Sequence, residues 1–158
     1  MYDRILIPTD GSTVAEAAVD QGVELAAQFG AEVHALYVVD VDAVSVGLGA
    51  EQVDRIRQGR FSEMDELGDD AAEATGYVAG VGADRGVTVV EEVRGGRPHA
   101  VIADYAADND VDLIVIGSHG RAGVRRALLG SVTERVLRST HRPVLVVDAH
   151  DHGAEEGL

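Results

Sequence analysis

Gly117, Gly120, Gly130 and Ser131 stand in the spacing Gly, two residues, Gly, nine residues, Gly-Ser, between an apolar run and a run with helical character. Glycines let a backbone turn tightly and come close to a ligand. A helix that starts near Ser131 aims unpaired N–H groups and about half a positive charge at the same place. The chemistry that needs both is the cradling of an anion, and the residue types suit the phosphates of a nucleotide triphosphate. The charge pattern agrees: from Leu113 to Thr133 there is no Asp or Glu, where an even spread of the chain's acids would put about four. The same stretch carries His119, Arg121, Arg125 and Arg126, as a polyanion site requires. The alternative is a Gly-rich turn with a chance gap in the acids; the strand and helix flanks favour the phosphate reading.

These residues need a frame to hold them. Ile5-Leu6-Ile7 reads as a buried strand, closed by Pro8-Thr9-Asp10-Gly11-Ser12 as a turn and a helix start capped by Asp10 or Ser12. The helix runs to Phe29 and stops at Gly30, with Val14, Ala17, Ala18, Val23, Leu25, Ala26 and Phe29 as its packing face. Val33 to Val39 is a second strand, and residues 40–60 read as a lid or an exposed connection. Phe61 to Arg85 has helical spacing weakened by Gly68, Gly76, Gly80 and Gly82. Val87 to Val93 is a third strand, Gly95-Gly96-Arg97-Pro98 a turn, and His99 to Ala107 a helix with Pro98 at its start. Asp112 to Gly117, holding Leu113-Ile114-Val115-Ile116, is the most apolar strand and belongs in the centre of a sheet covered on both faces. Ser131 to Ser139 is a short helix, Pro143 to Val147 a last strand, and a polar tail follows from His150.

Strands alternating with helices imply a parallel sheet with right-handed crossovers, an open α/β fold. Such sheets take ligands at the carboxyl ends of strands, where the strand order reverses. The turns at Asp10 and Gly117 both lie at such ends, so they face one crevice if strands one and four are neighbours.

Composition narrows the function. A chain of 158 residues is one domain with room for a core. Its formal net charge of -15 comes from 28 acids against 13 basic residues, all of them Arg. Such a surface repels nucleic acid and anionic membranes. Abundant acids without lysine also suit a salt-rich cytosol, where charges are screened within about 3 Å at 1 M salt, and a halophilic host is inferred. No cysteine is present, which excludes disulfides and thiolate chemistry. The chain shows no signal-like or membrane-length apolar stretch, and a cytoplasmic protein is expected.

Several chemistries lack their residues. A P-loop needs a lysine, and the turn after the first strand is no Gly-x-Gly-x-x-Gly, so that class of NTPase and a dinucleotide oxidoreductase are both disfavoured. His119 either positions a water for slow hydrolysis or shapes the loop and packs on the ligand; a general base also needs an orienting partner that the sequence does not show. Ser12 and Ser118 show no paired base in the local sequence that would make a nucleophilic triad, and His150-Asp-His152 has no third ligand nearby. No catalytic residue is assigned. Mg²⁺ could arrive with a bound phosphate, with Asp10 the nearest candidate carboxylate.

Ile5 to Asp10, followed by Gly117-Ser-His-Gly120, Gly130-Ser-Val-Thr133 and Arg142-Pro-Val-Leu-Val-Val147, resembles the universal stress protein family in its ATP-binding subgroup. The resemblance covers nearly the whole chain, with residues 1–148 as the domain and 149–158 as a polar tail. It implies an open five-stranded parallel sheet in the order 3-2-1-4-5 with helices on both faces, an adenine nucleotide alpha hydrolase-like fold. It also implies that Gly117, Gly120, Gly130, Ser131, Val132 and Thr133 meet the phosphates and ribose, with Ser118 and His119 inside the same motif. Arg121 would face the same anion, while Arg125 or Arg126 serves as a solvated helix charge. Pro8, Thr9 and Asp10 match the first-turn motif, whose Asp approaches the adenosine end, and Val38 matches the position that meets adenine through its backbone. Asp10 has a plainer alternative as a helix cap alone. A homodimer through strand 143–147 is implied as well.

The expectation is therefore a stress-response regulator that binds ATP, or another adenine nucleotide, without rapid turnover. Two alternatives stand beside it: a slow ATPase or adenylyl-transfer enzyme of the same fold, and an interaction protein that binds no nucleotide and acts on an unidentified protein partner.

Overall fold

The computed structural model describes residues 2–41, 65–119 and 129–149. Five parallel strands form one sheet in the order β3-β2-β1-β4-β5. They are β1 (Arg4–Pro8), β2 (Glu32–Asp40), β3 (Val89–Gly96), β4 (Leu113–Gly117) and β5 (Val144–Val147). Four described helices connect or flank them: α1 (Thr13–Phe29), α2 (Asp65–Asp84), α3 (Pro98–Asp108) and α4 (Ser131–Ser139). The chain steps outward from β1 to β3, then returns to place β4 on the other side of β1. The order reverses there, as expected, and the carboxyl ends of β1 and β4 open a crevice.

The two-residue period of the strands sorts their side chains between two cores. Ile5, Ile7, Val33, Ala35 and Val115 pack with Ala18, Val19, Val23 and Ala26 of α1 and Val78 of α2. Leu6, Leu36, Ile114 and Ile116 pack on the other face with Ile102, Tyr105 and Ala106 of α3 and Val136 of α4. All of β4 is buried, in keeping with its unbroken apolar run.

Helix α1 buries Ala15, Val19 and Gly22 in addition to the predicted Val14, Ala18, Val23 and Ala26, whereas Phe29 is exposed and meets Tyr2 edge-on. Gly22 serves the packing, because a Cβ there would lie 2.5 Å from Ile7 Cδ1 and 3.4 Å from Val115 Cβ. Its helix-propensity cost of about 1 kcal/mol is no larger than the 1–3 kcal/mol that overpacking typically costs. Ser12 is the N-cap, accepting from Ala15 N at 3.2 Å, and Gly30 closes the helix at φ 68°. Asp10 is not the cap; its carboxylate accepts from Ser12 N at 2.9 Å within the preceding turn.

The boundaries depart most from the sequence reading at β3 and α2. β3 begins at Val89 and continues through Gly95 and Gly96, which pair with Val39 and Asp40 instead of forming the turn. Sheet pairing with the long β2 overrides the local preference of a Gly-Gly pair. The expected helix from Phe61 is described from Asp65; of the expected lid or connection over residues 40–60, Asp40 belongs to β2, and residues 42–64 lie outside the described residues. No described helix is long and apolar enough to cross a membrane.

At the amino ends of the strands, buried His34 is held on both ring nitrogens, by the Tyr105 hydroxyl at 2.6 Å and the Glu32 carboxylate at 2.9 Å. Arg4 Nε donates to the same Glu32 carboxylate at 2.7 Å. The hydrogen bond from His34 first, and Arg4 second among the favourable contacts, hold the Glu32 carboxyl below its ordinary value of 4.5, against the opposing effect of burial. A depressed carboxyl stabilises the fold above its unfolded-state pKa and loses that contribution as pH falls through the folded-state value. Glu32→Gln is therefore expected to be less stable than wild type at neutral pH. In urea unfolding at stepped pH, that difference should narrow as pH is lowered below 4.5.

Candidate functional site

The crevice at the β1–β4 reversal is a cavity of about 200 Å³. Its apolar wall is Leu36, Ile102 and Ile116, continued by Val38 from β2 and Val132 from α4. Pro8, Thr9 and Asp10 enter from the end of β1, Gly117 and His119 from the end of β4, and Thr133 from the first turn of α4. Eight of the predicted site residues thus line one cleft. Asp40 and Pro98, which the sequence reading did not single out, line it as well. Period two along β2 was the signal for Asp40, because Leu36, Val38 and Asp40 share a face.

The first turn is pinned to the sheet. Thr9 N donates to Leu36 O at 2.9 Å, and the buried Thr9 hydroxyl accepts from Gly11 N at 3.1 Å. Gly11 itself adopts φ 80°.

The glycine loop is closed at its base. Gly130 N donates to Ser118 O at 2.8 Å, and the Thr133 hydroxyl donates to Gly117 O at 2.7 Å. A Cβ on Gly130 would stand 2.9 Å from His119 Cα and 3.1 Å from His119 Cβ, so only glycine admits this approach. Gly130 is also the N-cap of α4 and offers no side-chain cap. Among the described residues no side chain caps the first N–H groups of the helix.

Ser118 is buried and holds both neighbours. Its hydroxyl lies 2.9 Å from Asp148 Oδ1 and 3.2 Å from His119 Nδ1, and its N–H donates to Val147 O at 2.8 Å. The sequence around Ser118 gave no sign of Asp148. Only the pairing of Gly117 with Val147 between β4 and β5 brings it there. Serine, not histidine, is the hub, so this is no nucleophilic triad. Ser131 is exposed and lies off the cleft wall. Gly120, Arg121, Arg125, Arg126 and the His150–His152 pair lie outside the described residues. Among the described residues no Arg lines the cleft, and no group of three or more His, Asp or Glu is placed to hold a metal.

Residues 1–148 match the family model described as the universal stress protein family. The chain belongs to that family. Universal stress protein MJ0531 of Methanocaldococcus jannaschii is 41% identical over 148 residues, 93% of this chain and 82% of the relative. The solved structure of protein MJ0577, from the same organism, superposes with a TM-score of 0.70 at 30% identity, covering 96% of this chain and 99% of that one. A universal stress protein from Archaeoglobus fulgidus, solved in complex with dAMP, shares the fold with a TM-score of 0.66 at 22% identity, covering 92% of this chain and 98% of its own.

Thr133 is almost fully buried and its hydroxyl satisfies a strand-end carbonyl. Thr133→Val keeps the shape and removes the donor, and is expected to cost about 1–3 kcal/mol of unfolding free energy. Denaturant titration of the two proteins at one pH measures it.

Proposed function

We propose that this universal stress protein is a regulator that binds an adenine nucleotide, ATP foremost, in the β1–β4 cleft and holds it without rapid turnover. The observation that carries the reading is the pairing of an apolar slot with an uncapped helix start. Leu36, Val38, Ile102, Ile116 and Val132 offer a surface for a planar base. Gly130 lets the first N–H groups of α4 approach the same cleft, where they suit phosphate oxygens. The family relative solved with dAMP is consistent with an adenine nucleotide.

In this reading Gly117, Ser118, His119, Gly120, Gly130, Ser131, Val132 and Thr133 form the phosphate and ribose side, with Arg121 beside them. Pro8, Thr9, Asp10 and Val38 form the adenosine side. Mg²⁺ would ride on the phosphates with Asp10 as its protein carboxylate.

Protein extracted under denaturing conditions should release an adenine nucleotide identifiable by mass. ATP at a hundred times its dissociation constant should add about 2.7 kcal/mol of stability. Gly130→Asp, which sets a side chain and a carboxylate at the α4 start, should lower ATP affinity at least tenfold by calorimetry, roughly 1.4 kcal/mol. Undiminished affinity in that variant would refute the loop assignment, and steady product release under excess ATP would favour the enzyme reading.

β5 lies at the sheet edge with Val144, Leu145 and Val146 only half-buried in the single chain. An apolar edge of this kind invites pairing, which supports a homodimer through strand 143–147. The acidic, lysine-free composition supports a cytoplasmic protein of a halophilic host. Both ideas meet one experiment: at molar salt the protein should elute as a dimer, and its melting temperature should fall as salt is removed. A monomer at molar salt would refute the dimer, and a salt-independent melt the halophilic origin.

A further inference from the structure

At the end of β4, Ser118 has every polar group engaged. Its N–H donates to Val147 O and its C=O accepts from Gly130 N, each at 2.8 Å, so the backbone is fixed from two sides. The hydroxyl then faces two partners, Asp148 Oδ1 at 2.9 Å and His119 Nδ1 at 3.2 Å. A hydroxyl carries one proton and an ionised carboxylate can only accept, so that proton belongs to the bond with Asp148. The oxygen is left as an acceptor. His119 Nδ1 can then meet it favourably only as an N–H donor.

We infer that Asp148, beyond the end of edge strand β5, is a positioning residue of the cleft: through the Ser118 hydroxyl it holds the His119 ring in the Nδ1–H tautomer. The neutral ring then keeps its lone pair on Nε2, and His119 lines the cleft. The ligand group that meets Nε2 must be a hydrogen-bond donor. A ribose hydroxyl or an ordered water qualifies; a bare phosphate oxygen, which only accepts, does not. His119 thereby serves the middle of the ligand, and the backbone amides of α4 serve its anionic end. The orienting partner that the local sequence lacks comes from 30 residues along the chain.

The ligand half of this inference rests on the nucleotide reading above, whereas the tautomer does not. Long-range ¹⁵N–¹H correlation spectra of histidine-labelled protein, with His119→Gln to identify the signals, report which ring nitrogen carries the proton. Wild type should show Nδ1–H. Asp148→Ala, which frees the hydroxyl proton to donate to Nδ1, should shift the ring toward Nε2–H. Asp148→Asn retains an acceptor oxygen and should restore the wild-type pattern. An Nε2–H ring in wild type, or an unchanged tautomer in Asp148→Ala, would overturn the inference.

ATP affinity gives a second readout with opposite signs for the two roles Asp148 can play. Positioning predicts binding weakened roughly three- to tenfold in Asp148→Ala and within about twofold of wild type in Asp148→Asn. If Asp148 acted only as a negative charge near the phosphates, both variants would bind ATP more tightly, and the positioning role would be lost. A wild type that binds no adenine nucleotide would refute the function proposed above and the ligand half with it, while the spectra would still decide the tautomer.

Discussion

A Cβ at residue 130 would stand 2.9 Å from the Cα of His119, so the first turn of α4 reaches the end of β4 only because residue 130 is glycine. The bonds that fix the cleft's α4 wall follow from that approach. It brings Gly130 N to Ser118 O and the Thr133 hydroxyl to Gly117 O, and it sets Val132 and Thr133 on the wall. Two bonds between a strand end and a helix start, each worth about 1 kcal/mol net, join segments separated by the whole glycine loop. The helix start then faces the crevice without a side chain to cap it, which is how a structural necessity becomes a place for an anion.

The two faces of the sheet have different work. The face under α1 and α2 is packed mainly from aliphatic side chains, with Gly22 letting α1 sit close to Ile7 and buried Thr75 bonded to Ala71 O and Glu91. The other face carries aliphatic packing between two polar ends. His34, Tyr105 and Glu32 are tied together at the amino ends of the strands, while at the carboxyl ends Ser118 bonds Asp148 and His119, and Thr133 bonds the Gly117 carbonyl. Among the described residues no buried side-chain polar atom lacks a partner. That satisfaction lets polar groups border a core at little cost, since an unpaired one would forfeit about 1–3 kcal/mol.

What could be read from the chain alone was whatever depends on local pattern. The apolar runs of β1 and β4, the switch to helical spacing after Ser12, and the glycine spacing around the loop all announced themselves. Gly95-Gly96 misled because turn preference is local, whereas strand membership there is set by pairing with Val39 and Asp40. Asp40 was legible in principle from the alternation of β2, but the irregular residues after it obscured where the strand ends. Asp148 was not legible at all without the sheet order. Its place beside Ser118 follows from the pairing of Gly117 with Val147, and register between distant strands is a tertiary fact.

The same distinction changes the meaning of the acid-free window from Leu113 to Thr133. A window in sequence clears charge from one loop, yet Asp10 and Asp40 line the cleft from β1 and β2, and Asp148 reaches Ser118 from β5. Among the described residues the cleft is therefore lined by acids and not by bases, and in a chain of net charge -15 long-range attraction gives an anion little help. In the proposed reading, selection then rests on short-range geometry, with amides at the α4 start for the charged end and an apolar wall for the base. A ligand with both parts fits. A simple anion would leave the apolar wall unused and, among the described residues, would face the carboxylates of Asp10 and Asp40.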